Sequence, residues 1–176
     1  DIKAAHSNLG SDSIGFNIDV LNSSGVATIV LTDALPVITG ALTIDGSTQR
    51  PCANFPVPCA KQNTLAAGND SVLLIELNGA AIPYTANGLN ITAPDCLIRG
   101  LVINRFSGNG VFINSSAGGT IIAGNYVGLN AKGNFHQPNL DYGVYLDNAS
   151  NITVGGTTPA TRNVISGNDN QGFGVF

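Results

Sequence analysis

Residues 88–113 read GLNITAPDCLIRGLVINRFSGNGVFI, and this stretch holds three short apolar runs separated by turn residues. Its opening phrase, Gly88-Leu-Asn-Ile, recurs along the chain. The echoes are Gly110-Val-Phe-Ile, Gly143-Val-Tyr-Leu and the shortened Gly174-Val-Phe, at spacings of 22, 33 and 31 residues. Self-similarity at such periods is typical of solenoids and related repeat arrays.

The two later runs of the stretch recur as well. Cys96-Leu-Ile-Arg-Gly corresponds to Thr120-Ile-Ile-Ala-Gly and Asn151-Ile-Thr-Val-Gly, and Leu101-Val-Ile-Asn has later counterparts at 125–128 and 163–166. Runs of three to five residues are too short for helices. Equivalent strands of successive repeats can stack in parallel at roughly 4.8 Å. The sequence therefore predicts an all-β parallel β-helix with three-strand coils of about 22 residues.

Side chains within one phrase alternate between the two faces of a strand. Val111 and Ile113 are therefore expected to point into the cylinder, and Phe112 to point outward. In the later phrases Tyr145 and Phe176 take the same outward position, which predicts an aromatic column on the surface. Glycine and asparagine pairs at 108–109, 124–125 and 167–168 are expected at corners, where left-handed backbone is needed.

Composition limits the classes of partner. The 176 residues are 43% hydrophobic and 10% charged, with a net charge of −4 and only seven Lys plus Arg. A single domain can fill a long narrow core with this composition. The scattered basic residues disfavour nucleic acid or anionic membrane as partners. No apolar run approaches the eighteen or so residues that span a bilayer, so no membrane insertion is expected.

The predicted domain covers residues 1–176, with an N-terminal cap at 1–13 and loop insertions at 47–71 and 131–142. Segments near 13–18, 27–31 and 40–46 are expected to form the three strands of an early coil. The chain stops within the phrase that starts at Gly174, which would leave an unpaired strand. We therefore expect a piece of a longer protein or a unit of an end-to-end filament, with a protein contact at this C-terminal end.

Three cysteines bear on the compartment. Cys52 and Cys59 enclose a short Pro-rich loop, where a disulfide would restrain a segment that lacks its own core. A bridge would indicate an oxidising compartment. The alternative is a pair of reduced thiols in a surface loop. Cys96 begins a repeat strand and is interpreted as a small buried hydrophobic residue.

Once the repeat is aligned, several of its phrases resemble those of a known family. These phrases are Ile44-Asp-Gly-Ser-Thr-Gln, Ile75-Glu-Leu-Asn-Gly, Gly124-Asn-Tyr-Val-Gly and the segment 155–168. The chain resembles the right-handed parallel β-helix repeats of large secreted bacterial surface proteins in the pectin-lyase-like superfamily. This resemblance implies a right-handed coil and an extracellular or cell-surface location. Lyases of that fold hold calcium with clustered acids, and its hydrolases use close aspartates.

No catalytic constellation emerges from the stacked positions. Asp141, Asp147 and Asp169 fall in neighbouring coils but form no carboxylate ladder. Asp95, Arg99 and Arg105 share one coil, and we favour solvated or corner roles for them. His6 and His136 belong to no triad or zinc-type pattern. Asp45 and Glu76 are interpreted as structural hydrogen-bond acceptors. We predict no catalytic residue, no metal site and no cofactor.

The aromatic column of Phe112, Tyr145 and Phe176 has two interpretations. It can be a platform for sugar rings, or a surface covered by the 131–142 excursion, which carries Phe135, His136 and Tyr142. We favour the covered interpretation, because exposed aromatic patches are rare unless they bind something. The first functional hypothesis is a non-catalytic extracellular structural or adhesive module. The alternative is a carbohydrate-binding or polysaccharide-degrading protein that uses the column with Asp141 and Asp147.

Overall fold

The computed structural model describes residues 10–19, 22, 24–49 and 59–175 of the chain. His6, Cys52 and Phe176 lie outside the described residues, as does most of the predicted cap. Asp12 and Ser13, which we placed in the cap, begin the first strand. The rest of the cap stays a prediction.

Fourteen strands in the described part of the chain form three sheets, in which all strand pairs are parallel. Sheet 1 consists of β1 (Asp12–Gly15), β3 (Leu42–Asp45), β6 (Leu97–Arg99), β9 (Ile121–Ala123) and β12 (Thr153–Val154). Sheet 2 consists of β2 (Ala27–Val30), β4 (Ile75–Asn78), β7 (Leu101–Asn104), β10 (Tyr126–Val127) and β13 (Val164–Ile165). Sheet 3 consists of β5 (Leu89–Ile91), β8 (Val111–Asn114), β11 (Val144–Asp147) and β14 (Phe173–Val175). Two short 3₁₀ turns, Gly46–Thr48 and Pro159–Thr161, lie between strands.

The chain visits the three sheets in the same order on each pass, so β6, β7 and β8 make one coil and β9, β10 and β11 make the next. This stacking is consistent with a parallel β-helix. In the first coil a single bridge from Ile38 to Ile91 takes the place of a strand in sheet 3. Leu89 pairs with Val111, 22 residues later, whereas Val111 pairs with Val144, 33 residues later, because the second interval contains the 131–142 excursion.

The interior of the cylinder is built from the inward residues of all three sheets. Val111 and Ile113 are fully buried while Phe112 between them is half-buried, which confirms the predicted alternation. Ile98 and Ile122 stack in sheet 1 and are also fully buried. Each such aliphatic side chain contributes roughly 1.5–3 kcal/mol through burial. The fold therefore rests on columns of aliphatic side chains along the cylinder axis.

The register of the last coil differs from the predicted one. Val144 pairs with Phe173, so Gly172 rather than Gly174 corresponds to Gly143. A column of glycines sets this register. A Cβ on Gly143 would lie 2.6 Å from the carbonyl oxygen of Gly172, and one on Gly110 would lie 2.7 Å from that of Gly143. Only glycine allows this close stacking of backbone.

Two other alignments also need correction. In sheet 1, Thr153 rather than Ile152 pairs with Ile121, so the last copy of the second run is displaced by one residue. The early segments do not form one coil. β3 pairs directly with β1, so it opens the second coil instead of completing the first. Pairing across coils decides this, since three strands of one coil must belong to three different sheets.

The corners are held by asparagine side chains. The predicted left-handed backbone is found at Gly124 and Gly167, with φ angles of 68° and 76°, but not in the 108–109 pair. Asn125 stacks on Asn163, whose Oδ1 accepts both its backbone N–H (2.9 Å) and its amide (3.2 Å). Asn139 stacks on Asn168 in the same way, at 3.4 and 2.9 Å. Buried amides of this kind satisfy backbone groups that the turn removes from the strand ladders.

Loops cover the outward face of sheet 2. Val102 is completely buried there, together with Tyr126, against Leu73 and Leu129. The Ser71 and Tyr126 hydroxyls are 2.8 Å apart. Ser71 ends the 47–71 insertion and Leu73 follows it, while Leu129 leads into the 131–142 excursion. Both loops therefore pack on sheet 2, which leaves the outward face of sheet 3 partly exposed.

Within the described residues no helix is long and apolar enough to cross a lipid bilayer.

Candidate functional site

The outward ladder of sheet 3 carries the aromatic residues that the sequence singled out. Strand pairing aligns Asn90, Phe112, Tyr145 and Gly174 across four coils. The Phe112 and Tyr145 rings are stacked, with centroids 5.7 Å apart and an interplanar angle of 15°. Pairs of this geometry contribute about 0.5–1.5 kcal/mol beyond burial. The predicted stacking of Phe112 on Tyr145 is therefore confirmed.

The third member of the predicted column is not confirmed. Phe176 lies outside the described residues, and the position next to Tyr145 in the ladder belongs to Gly174. The sequence alignment starts the last phrase at Gly174, two residues too late, because Gly174-Val-Phe resembles the earlier phrases while the backbone pairs through Gly172.

The expectation that the 131–142 excursion covers the column is wrong for most of its length. Phe135 is 58% exposed and stacks on His136 with a centroid distance of 4.8 Å. His136 forms a bridge with Leu129, which is part of the cover over sheet 2. The excursion packs on sheet 2 because the largely apolar side chains of Val102 and Tyr126 are buried there.

Tyr142 is the part of the excursion that reaches sheet 3. Its ring lies 5.0 Å from that of Tyr145 at an angle of 49°. Its backbone N–H donates to Oδ1 of Asn109, a corner residue, at 3.2 Å. Phe112, Tyr142 and Tyr145 are each half-buried. We call these three residues the aromatic face.

Two carboxylates border the aromatic face. Asp147 continues β11 two residues after Tyr145, and its Oδ1 accepts a hydrogen bond from the Asn148 amide at 3.0 Å. Oδ1 of Asp141 accepts one from the Asn170 amide, also at 3.0 Å. The structure thus brings together Phe112, Tyr142, Tyr145, Asp141 and Asp147 from the predicted candidates.

The charged side chains that border the aromatic face are negative. Desolvation raises the pKa of the Tyr145 phenol, and the neighbouring Asp147, Tyr142 and Asp141 raise it further. Nearby negative charge has this effect because it disfavours the phenolate. Neither aspartate forms an ion pair with a described residue. The described ion pairs, Lys61 with Asp70 and Arg99 with Asp45, lie elsewhere.

The other polar candidates have structural roles. Arg99 pairs with Asp45 at 2.6 Å, and Ser47 donates its backbone N–H and its hydroxyl to the same carboxylate. Burial alone would raise the pKa of Asp45, but the bonds from Arg99 and Ser47 outweigh it and lower the pKa. Asp95 and Arg105 have positive φ angles of 56° and 60° and lie at corners. These residues therefore do not form a shared site.

Glu76 lies in a polar network on the outward face of sheet 2. Its carboxylate accepts hydrogen bonds of 2.7 Å from the Thr28 hydroxyl and the Asn104 amide. It borders a cleft of 370 Å³ that Asn130 and Lys132 also line. The sequence predicted Glu76 as a structural acceptor but missed Asn104, which comes from the next coil. A polar residue in an otherwise apolar strand was the available signal.

The described residues contain no group of three or more His, Cys, Asp or Glu side chains suited to a metal ion. Burial raises the pKa of the Cys96 thiol, as its interpretation as a buried small residue requires. The Cys52–Cys59 disulfide stays a prediction, since Cys52 is not among the described residues. A cleft of 610 Å³ next to Arg162 contains none of the predicted site residues.

Sequence reasoning missed Asn148 and Asn170, the amides that hold the two aspartates. Asn170 lies 29 residues from Asp141 and reaches it only because the next coil stacks directly on the excursion. Nothing in the local sequence signals that contact.

Comparison with known proteins finds no matching family model, no matching curated protein and no matching solved structure. We therefore infer the function from the geometry of the aromatic face.

Proposed function

We propose that this protein is a non-catalytic extracellular β-solenoid module that attaches to carbohydrate through the aromatic face. The observation that carries the proposal is the stacked pair of Phe112 and Tyr145 on the outward side of sheet 3, extended by Tyr142. The stacked rings each cover one face of the other, and the half-buried aromatic ridge that they form on the rigid strand ladder gives sugar rings an apolar surface to pack against. The flanking carboxylates and amides can accept and donate hydrogen bonds to sugar hydroxyls.

The regular strands below the face support this role. Phe112 and Tyr145 are fixed by pairing between β8 and β11, so little conformational entropy is lost when a ligand binds. We also propose that the chain belongs with the right-handed pectin-lyase-like β-helix repeats of secreted bacterial surface proteins. The basis is the resemblance of its repeat phrases to theirs. A Cys52–Cys59 disulfide would suit that oxidising location. The protein contact expected at the C-terminal end stays a separate prediction.

The test is binding to a panel of soluble and insoluble polysaccharides, measured by affinity electrophoresis and pull-down. Wild-type protein is expected to bind at least one glycan. Phe112→Ala should weaken that binding by about tenfold, since a buried aromatic contact is worth roughly 1–1.5 kcal/mol. Phe135→Ala is the matched control, because it removes an exposed aromatic ring that lies outside the face.

Equal loss in both variants, or no binding to any glycan, would contradict the proposal. The same panel can be assayed for new reducing ends with and without calcium. Cleavage would favour the enzymatic alternative, in which Asp141 and Asp147 act as a carboxylate pair.

A further inference from the structure

The aromatic face combines aromatic rings with negative charge that no base among the described residues neutralises. The Asp141 and Asp147 carboxylates each receive a hydrogen bond from a neutral amide. Neither is paired with Lys, Arg or His among the described residues, and both act on the Tyr145 phenol. The whole chain carries a net charge of −4 in addition. An anionic polysaccharide would therefore meet repulsion at this face.

A cation meets two favourable interactions at the same place. Any ring face of the three residues that the Phe112–Tyr145 stack leaves uncovered attracts ammonium groups through the ring quadrupole. Carboxylate oxygens accept charge-assisted hydrogen bonds from the same group. Each of these aspartates has its Oδ1 engaged by an asparagine, while its Oδ2 makes no hydrogen bond to a described residue. The face thus offers ring surface and free acceptor oxygens next to each other.

We propose that the ligand of the aromatic face is a glycan with free amino groups, such as a polymer of glucosamine. This inference rests on the proposed glycan binding. Its sugar rings pack on Phe112 and Tyr145, and its ammonium groups lie against Asp141 and Asp147. Neutral N-acetylated glycans bind by ring packing alone, and uronic acid polymers are repelled. The aromatic residues thus supply affinity for sugars in general, and the aspartates give a preference for positively charged sugars.

The experiment uses three oligosaccharides of matched length: glucosamine, N-acetylglucosamine and galacturonic acid oligomers. Binding of the full chain to each is measured by isothermal titration calorimetry at about pH 6, where carboxylates are generally ionised. The glucosamine oligomer is expected to bind about tenfold more tightly than the acetylated one, as two exposed charge pairs predict. Added salt should reduce that difference, because screening weakens exposed charge interactions.

Variants separate the contributions of charge and ring packing. Asp141→Asn and Asp147→Asn should each lower affinity for the glucosamine oligomer about threefold and leave the acetylated oligomer unaffected. Asp33→Asn removes one exposed negative charge from the first coil and should change neither value. The salt titration of wild-type protein gives the same information without a variant, should either substitution disturb folding.

Each outcome decides the proposal. Equal affinity for the glucosamine and acetylated oligomers, or tighter binding of the galacturonate oligomer, would overturn the preference for amino sugars while glycan binding stood. Binding of no glycan, either here or in the polysaccharide panel, would overturn the proposed function as well. A preference for glucosamine that stays at its wild-type size in both aspartate variants and in high salt would overturn the role given to the aspartates.

Discussion

Asn125 shows how a single side chain holds a corner of the cylinder. It is completely buried, and its Oδ1 accepts the Leu101 backbone N–H at 3.0 Å. Its amide donates to the Ile98 carbonyl at 2.9 Å and also contacts Asn163 at 3.2 Å. Asn125 therefore satisfies backbone groups of the preceding coil. Asn163 of the following coil accepts hydrogen bonds from its backbone N–H and its amide.

Replacing Asn125 by alanine is expected to destabilise the protein by about 2–4 kcal/mol. The change leaves a buried N–H and a buried carbonyl without partners, and each unsatisfied group costs roughly 1–3 kcal/mol. Urea unfolding followed by circular dichroism measures the effect. Asn134→Ala is the control, because Asn134 is exposed in a loop. An equal loss of stability in the two variants would contradict the role assigned to the corner amide.

Strands in this protein separate buried from exposed positions residue by residue. In β9, Ile122 is fully buried in the core, whereas Ile121 next to it is 39% exposed on the outer face of sheet 1. The two side chains are chemically identical and neighbours in sequence. They differ only in which face of the strand they occupy.

The pair permits a direct test of the strand orientation. Ile122→Ala should lower the free energy of unfolding by about 2–5 kcal/mol, since it removes buried methylenes and leaves a cavity. Ile121→Ala should cost less than about 1 kcal/mol, because that side chain is already partly hydrated. Thermal and urea denaturation of both variants provide the measurement. A larger loss for Ile121→Ala would show that β9 has the opposite orientation.

On the scale of the whole molecule, residues 63–68 of the 47–71 insertion join distant parts of the chain. The Arg162 guanidinium donates to the carbonyls of Leu65 and Ala66, at 3.1 and 2.8 Å, and to that of Gly68. The Asn63 amide reaches the Pro159 carbonyl at 3.1 Å. These contacts span 94 to 97 residues of sequence and connect the second coil to the fifth.

Removing the guanidinium should loosen this segment without unfolding the cylinder. Arg162→Ala is expected to lower the local opening free energy of residues 64–69 by roughly 1–2 kcal/mol, because hydrogen bonds to a charged donor are lost. Hydrogen exchange detected by mass spectrometry measures this change. Arg162→Lys should give an intermediate effect, since lysine keeps the charge but lacks the planar fork. Unchanged exchange at 64–69 in Arg162→Ala would show that other contacts hold the segment.

The sequence by itself determined the repeating strands, the inward and outward residues of β8 and β11, and the glycine and asparagine corners. These features are local: strand alternation has a period of two residues, and the left-handed backbone at Gly124 and Gly167 selects glycine. For the same reason the sequence identified Phe112 and Tyr145 as neighbours on one outer face.

The tertiary structure alone decided the register of the last coil, the cover of sheet 2 and the composition of the site. Register depends on backbone contact between glycines such as Gly143 and Gly172, which wording cannot distinguish from a match two residues later. The excursion packs on sheet 2 because Val102 needs burial there. Asp141 meets Asn170, 29 residues away, only when one coil stacks on the next. Such contacts arise from packing across coils, so no stretch of sequence encodes them alone.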